Sequence, residues 1–177
     1  MADINLTSNS RRQLTLFVEP TDALTIERVR QRFNPQQFEL IKAHVTLCRE
    51  DELKDLEKVI ANLFLLIETQ RSIHIEFSKV KRFENGKGVF LLATGENKEF
   101  KELRKQVLNS LYANPGNHEP HITLMHPRNS TCNDEIFSEI EKLILPAKLE
   151  FKRISLIEQE NGGQWRVVRE FEFISPA

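Results

Sequence analysis

The sequence predicts an α+β protein built as a duplicated, two-lobed unit. Two antiparallel sheets face a central cleft, with helices on their outer faces and a rough two-fold relating the lobes. Three observations carry this expectation. His44-Val45-Thr46-Leu47 returns as His121-Ile122-Thr123-Leu124, an offset of 77 residues (121 − 44). Glu84-Asn85-Gly86 returns as Glu160-Asn161-Gly162, an offset of 76 (160 − 84). Around both copies, stretches of two-residue apolar alternation and stretches of helical spacing follow one another in the same order.

Each element has its own signal. Residues 14–19 form a strand ended by Pro20, and Thr21 and Asp22 supply a cap for a helix to about Phe33. Residues 42–48 are a strand. Glu50 and Asp51 open a helix with Leu53, Leu56, Ile60, Leu63 and Ile67 on one stripe. Residues 72–83 alternate, with Ile73, Ile75 and Phe77 on one face. Asn85-Gly86 turns that strand back into residues 88–94. The cycle then repeats. A helix over 97–111 carries Phe100, Leu103, Val107 and Leu108, and a strand follows over 119–125. A helix over 133–145 points Ile136, Phe137, Ile140 and Ile144 inward. Residues 148–158 and 164–173 close a second hairpin around Asn161-Gly162-Gly163. No Gly/Ser linker divides the chain, so residues 1–177 are expected to be one domain of two lobes, whose sheets the N-terminal strand and C-terminal hairpin complete.

Composition narrows the function. The chain has 177 residues, 25 Lys+Arg against 26 Asp+Glu, 40% hydrophobic and 29% charged residues. That balance is globular. A formal net charge of −1 argues against a broad nucleic-acid coat but leaves room for a small pocket that reads one phosphate. Cys48 and Cys132 are too few for a disulfide framework and suit a reducing compartment. Residues 1–13 lack the apolar core of a signal peptide, and residues 59–67 are too short to span a bilayer. A cytoplasmic monomer with no membrane partner is expected.

Strand context gives the repeated motif its meaning. Side chains alternate across a strand, so His44 and Thr46 share one face while Val45 and Leu47 share the other. His121 and Thr123 stand likewise against Ile122 and Leu124. The aliphatic face belongs under the helices and the polar face in the cleft, because burying unpaired polar groups is costly. Facing lobes would bring both His-Thr pairs to one place. Two imidazoles titrating near neutrality can act as base and acid, and two threonine hydroxyls can hold phosphate oxygens. No metal or other cofactor is needed, and the spacing offers one histidine per strand with no matching carboxylate or thiolate.

The paired motifs resemble those of the 2H phosphoesterase superfamily, which includes 2′-5′ RNA ligase-like proteins and cyclic nucleotide phosphodiesterases. The likeness extends over roughly residues 14–173 through the order of elements. It implies metal-independent opening of a 2′,3′-cyclic phosphate or related ester on a nucleotide or RNA terminus. It also implies that His44 and His121 are the acid–base pair and that Thr46 and Thr123 are phosphate ligands. RNA joining through a 2′-5′ linkage in the same site, or nucleotide binding without turnover, are the alternatives. Arg49, after the first motif, and Arg128, after the second, are candidate phosphate ligands. Phe17 and Trp165 are candidate stacking surfaces for a base, although core packing suits both better, since their strands must bury one face.

Overall fold

The computed structural model describes residues 9–112 and 114–175. The chain runs β1 (Ser10–Phe17), α1 (Pro20–Phe33), α2 (Pro35–Leu40), β2 (His44–Cys48), a 3₁₀ turn (Glu50–Glu52) and α3 (Leu56–Ile67). It continues through β3 (Ile73–Arg82), β4 (Val89–Ala93), α4 (Lys98–Leu108), β5 (His121–Met125), α5 (Asp134–Glu141), β6 (Lys148–Phe151), β7 (Arg153–Glu160) and β8 (Arg166–Glu172).

The α+β class holds, but the two separate sheets do not. All eight strands form one sheet in the order β6-β3-β4-β5-β2-β1-β7-β8. The cause is the pairing of β2 with β5, Val45 opposite Ile122, which joins what would otherwise be two halves. In addition, β3 pairs with β4 and β7 with β1, so the third strand of each sequence repeat lies in the opposite half.

The sheet must curl. β6 and β7 lie toward opposite ends of the strand order, yet only Lys152 separates them in the chain. Consecutive Cα atoms are about 3.8 Å apart, so the two ends have to meet there. They do: Phe173 N donates to Lys152 O at 2.8 Å, and Ile174 N donates to Gln70 O at 2.8 Å. Residues 148–158, which the alternation presents as one strand, are thus an arm divided at Lys152 that serves both ends.

Helices cover one face of the curled sheet. Leu14, Leu16, Val45, Leu47, Ile122 and Leu124 are fully buried beneath them. They meet Ile26 and Val29 of α1, Val59 and Leu63 of α3, and Phe100, Leu103 and Val107 of α4 in one core. Burying each such aliphatic side chain is worth about 1.5–3 kcal/mol.

Several helix boundaries differ from expectation. Pro20 opens α1 instead of only ending the strand, because a residue without an N–H costs nothing at the first helical position. Asp55, not Glu50 or Asp51, caps α3, its side chain accepting from Lys58 N at 3.2 Å. The buried stripe of α3 is therefore Val59, Leu63 and Leu66, with Leu56, Ile60 and Ile67 on its flanks. Helix α5 stops at Glu141 and leaves Ile144 92% exposed. Pro146 lies just beyond and disfavours helix at the residue before it. Helix α2, opened by Pro35, has only six residues and no buried side chain to announce it.

Two buried arginines bracket β2. Before it, Arg30 donates to Glu27 Oε2 at 2.5 Å and to Ile41 O at 2.6 Å, while Glu27 Oε1 accepts from Ala43 N at 2.6 Å. After it, Arg104 of α4 holds Glu52 through both carboxylate oxygens, at 2.6 and 3.1 Å. Arg104 also donates to Leu47 O, and to Gly116 O at 3.2 Å. Burial would raise the Glu52 carboxyl, but Arg104 overrides it and holds it below the usual range. Arg104→Met should cost about 3–5 kcal/mol in urea unfolding, because it strands a carboxylate that is largely shielded from water.

Candidate active site

The β2–β5 register places the four motif side chains. With Val45 opposite Ile122 in an antiparallel pair, His44 falls opposite Thr123 and Thr46 opposite His121. All four are half-buried, while Val45, Leu47, Ile122 and Leu124 point into the core. The histidines therefore sit on a diagonal, each beside the other motif's threonine. They line a cleft of about 480 Å³ together with Arg49, Arg128, His118 and His126.

Both histidines are held in the same way. His44 Nδ1 lies 2.7 Å from Lys42 O, and His121 Nδ1 lies 3.1 Å from Glu119 O, in each case the carbonyl two residues back. A carbonyl only accepts, so each Nδ1 carries the proton and each Nε2 is left with its lone pair. Aromatic edges fix the ring planes. Phe17 meets His44 at 6.0 Å between centroids, and Phe90 meets His121 at 5.4 Å. Burial pushes the His44 imidazolium down to about 4, against the Lys42 carbonyl, and Arg30, His121 and His126 add to the depression. His121 is also lowered by burial, against the Glu119 carbonyl.

The other candidates separate. Arg49 lines the cleft from the end of β2, 3.5 Å from Asp51 and 3.9 Å from Glu52. Arg128 lines it from the loop after β5 and has no ion-pair partner among the described residues. That loop is pinned. His126 N donates to Asn34 Oδ1 at 2.8 Å, and Asn34 Nδ2 donates to Asn129 O at 3.1 Å. Phe17 is not on the cleft wall. It backs His44 and lines a larger neighbouring groove between α1 and the β7–β8 hairpin.

Four residues that the sequence left out of the site, or favoured for the core, are brought here by the fold. His118, read as part of a polar loop, lines the cleft and reaches Thr46 O with Nε2 at 3.0 Å. Trp165, favoured for the core, stands half-buried on the cleft wall. Arg11 and Gln159 are register partners on β1 and β7 and face the same space. The alternation was legible only over residues 14–19; its extension back to Arg11 and the direction of that face come from the length of β1 and its pairing with β7.

The sequence model of the 2′-5′ RNA ligase superfamily matches residues 18–163. The chain belongs to that superfamily. Its membership agrees with the 2H phosphoesterase resemblance carried by the two motifs. No curated protein sequence matches the chain. Among solved structures, Escherichia coli LigT complexed with NADP+ is similar at a TM-score of 0.61 and 14% identity, covering 94% of this chain and 98% of that one. TT0787 of Thermus thermophilus is similar at 0.60 and 16% identity, covering 92% and 97%. At such identity these likenesses establish the shared fold.

A titration of the imidazole resonances of the ligand-free protein should find His44 changing near pH 4 and His121 below 6.5, each neutral as the Nδ1–H tautomer at pH 7. The unfolded chain binds these protons near pH 6.5, so it binds more of them than the folded chain does between about 6.5 and 4. Folding stability, fully present above that window, should fall as the pH drops through it.

Proposed function

We propose that this protein is a metal-independent phosphoesterase that opens a 2′,3′-cyclic phosphate on a nucleotide or RNA terminus. The observation that carries the reading is the matched pair of imidazoles. Each is fixed by Nδ1 on the carbonyl two residues back, with Nε2 unengaged, and each stands opposite the other motif's threonine. That arrangement suits a phosphorus atom approached from two sides by an acid and a base. Family membership supports it. So do the ligands of the similar fold, since solved E. coli LigT structures hold phosphate, 3′-AMP and ATP.

In this mechanism a neutral imidazole takes a proton from water as the water oxygen bonds to phosphorus. The opposite imidazolium gives its proton to the departing 3′ oxygen as that P–O bond breaks, which leaves the phosphate on the 2′ oxygen. His44 suits the base: burial and the cations around it, Arg30 among them, keep it neutral. His121, on which no arginine acts, suits the acid. Thr46 and Thr123 donate hydroxyl hydrogen bonds to the non-bridging oxygens, and Arg49 and Arg128 supply positive charge at the rim. The family's description favours one further reading of the same atoms: with a ribose 5′-hydroxyl attacking phosphorus in place of water, and the 3′ oxygen leaving as before, the site would form a 2′-5′ linkage.

The test is a product-resolved assay on nucleoside 2′,3′-cyclic phosphates and cyclic-ended RNA. Turnover with a 2′-phosphate product, undiminished by EDTA, is expected. His44→Ala and His121→Ala should each lower kcat by roughly 10²–10⁴-fold. Unchanged turnover in either variant refutes the two-histidine mechanism. Because both histidines are depressed in the free protein, kcat/KM should peak below pH 6.5. The profile of kcat should lie higher, since a bound phosphate anion raises the imidazolium pKa.

A further inference from the structure

We propose that the Arg11 corner of the cleft holds a second phosphate of the substrate, attached through O5′ of the reacting nucleoside, an assignment that rests on the cyclic-phosphate reading above. The substrate class becomes a cyclic-ended nucleotide bearing a 5′-phosphate or phosphodiester, rather than a plain nucleoside 2′,3′-cyclic phosphate.

Charge is the first observation. Four arginines and four histidines line the cleft, and among the described residues no aspartate or glutamate does. This concentration occurs in a chain whose acids outnumber its lysines and arginines by one, 26 against 25. One reacting phosphate already has two threonines and two imidazoles, so the arginines exceed what it needs. Arg30 is spoken for by Glu27. Arg11, Arg49 and Arg128 remain.

Position distinguishes Arg11 from the other two. It projects from the same face of β1 as Thr15, which is the register partner of Thr46. Four residues of strand separate Arg11 from that row, a span of about 13 Å at the rise of a β-strand. That offset sets Arg11 well back from the threonines that would hold the reacting phosphate. It suits a group one linkage further along the ligand. In a nucleoside whose 2′ and 3′ oxygens are closed into the cyclic ester, the sugar position left for a second phosphate is O5′.

The guanidinium is also held ready. Its Cζ lies over the Trp165 ring, 5.3 Å from the centroid, and Nη2 donates to Gln159 Oε1. Gln159, 3% exposed, is itself fixed by donating to Gly163 O at 2.6 Å, and Trp165 N donates to Leu40 O at 2.9 Å. An arginine so restrained loses little further freedom on binding an anion. Its one ion pair, to Glu50 at 3.8 Å, is long and has a half-exposed carboxylate, so it screens the charge only weakly.

Three substrates test this with one base throughout: a nucleoside 2′,3′-cyclic phosphate, the same compound with a 5′-phosphate, and a dinucleotide ending in that cyclic phosphate. The wild type should show kcat/KM at least about tenfold higher for one or both of the latter two. Whichever gains more identifies a phosphomonoester or a phosphodiester as the second anion. Arg11→Gln should cut that advantage about tenfold, and Arg11→Lys should restore part of it. Lys79→Gln, an equal loss of charge on exposed β3, should leave the advantage intact. The salt dependence of binding a dinucleotide 2′-phosphate should weaken by about 0.7 in log–log slope in Arg11→Gln. Equal kcat/KM for all three substrates, or an advantage that survives Arg11→Gln, overturns the proposal and leaves the cyclic-phosphate reading standing. Turnover of none of the three overturns that reading, and the proposal with it.

Discussion

Strand β2 enters and leaves the sheet between two buried guanidinium–carboxylate pairs, and the geometry of the site depends on them. Arg30 and Glu27 tie helix α1 to the backbone at Ile41 and Ala43, immediately before His44. Arg104 and Glu52 tie helix α4 to Leu47 O and to the loop at Gly116 that leads into the second motif. One pair therefore sets how β2 begins, and the other connects its end to the approach of β5. Buried ion pairs often add little net stability against well-packed apolar residues, but losing one partner is expensive. Here their use is positional. They satisfy carbonyls next to the seam and orient the strand so that its His-Thr face opens on the cleft.

The seam itself is short. Val45 opposite Ile122 is the one register pair between β2 and β5, and Thr46 O is reached by the His118 ring. A longer ladder would fill the space between the motifs with backbone hydrogen bonds and neighbouring side chains. A brief one leaves room between two rows of polar groups while preserving their register. The same enclosure depresses both imidazoles, which under the proposed mechanism works against the proton that one of them must carry. An incoming phosphate relieves that cost. Substrate binding and correct protonation are therefore coupled by the electrostatics of a half-buried, carboxylate-free cleft.

Much of this was legible in the chain. The repeated His-x-Thr-Leu motif marked the two strands that meet at the seam, and strand parity alone assigned His44 and Thr46 to one face and Val45 and Leu47 to the other. The single curled sheet was not legible. Alternation reports which face of a strand is buried, not which strand lies beside it, so residues 148–158 looked like one strand although Lys152 divides them between two neighbours. Arg11 escaped notice and Trp165 was given to the core for the same reason, since they share a wall of the cleft only through the β1–β7 pairing and the turn beyond it. His118 was hidden in a loop with no periodicity. Arg30 and Arg104 lie on amphipathic helices, where an arginine ordinarily marks the solvent side. Phe17 shows the opposite limit: its parity with the cleft face was readable, but its ring stands edge-on to His44 and lines the neighbouring groove.

The proposed function requires that the two motifs act on one phosphorus atom. The most direct measurement is a crystal structure with inorganic phosphate at a pH below 6.5. One phosphate should bind between the strands, with oxygens about 2.7–3.0 Å from Nε2 of both His44 and His121 and hydroxyl contacts from Thr46 and Thr123. A phosphate held by Arg49 or Arg128 that touches neither imidazole, or separate phosphates at each histidine, would contradict it.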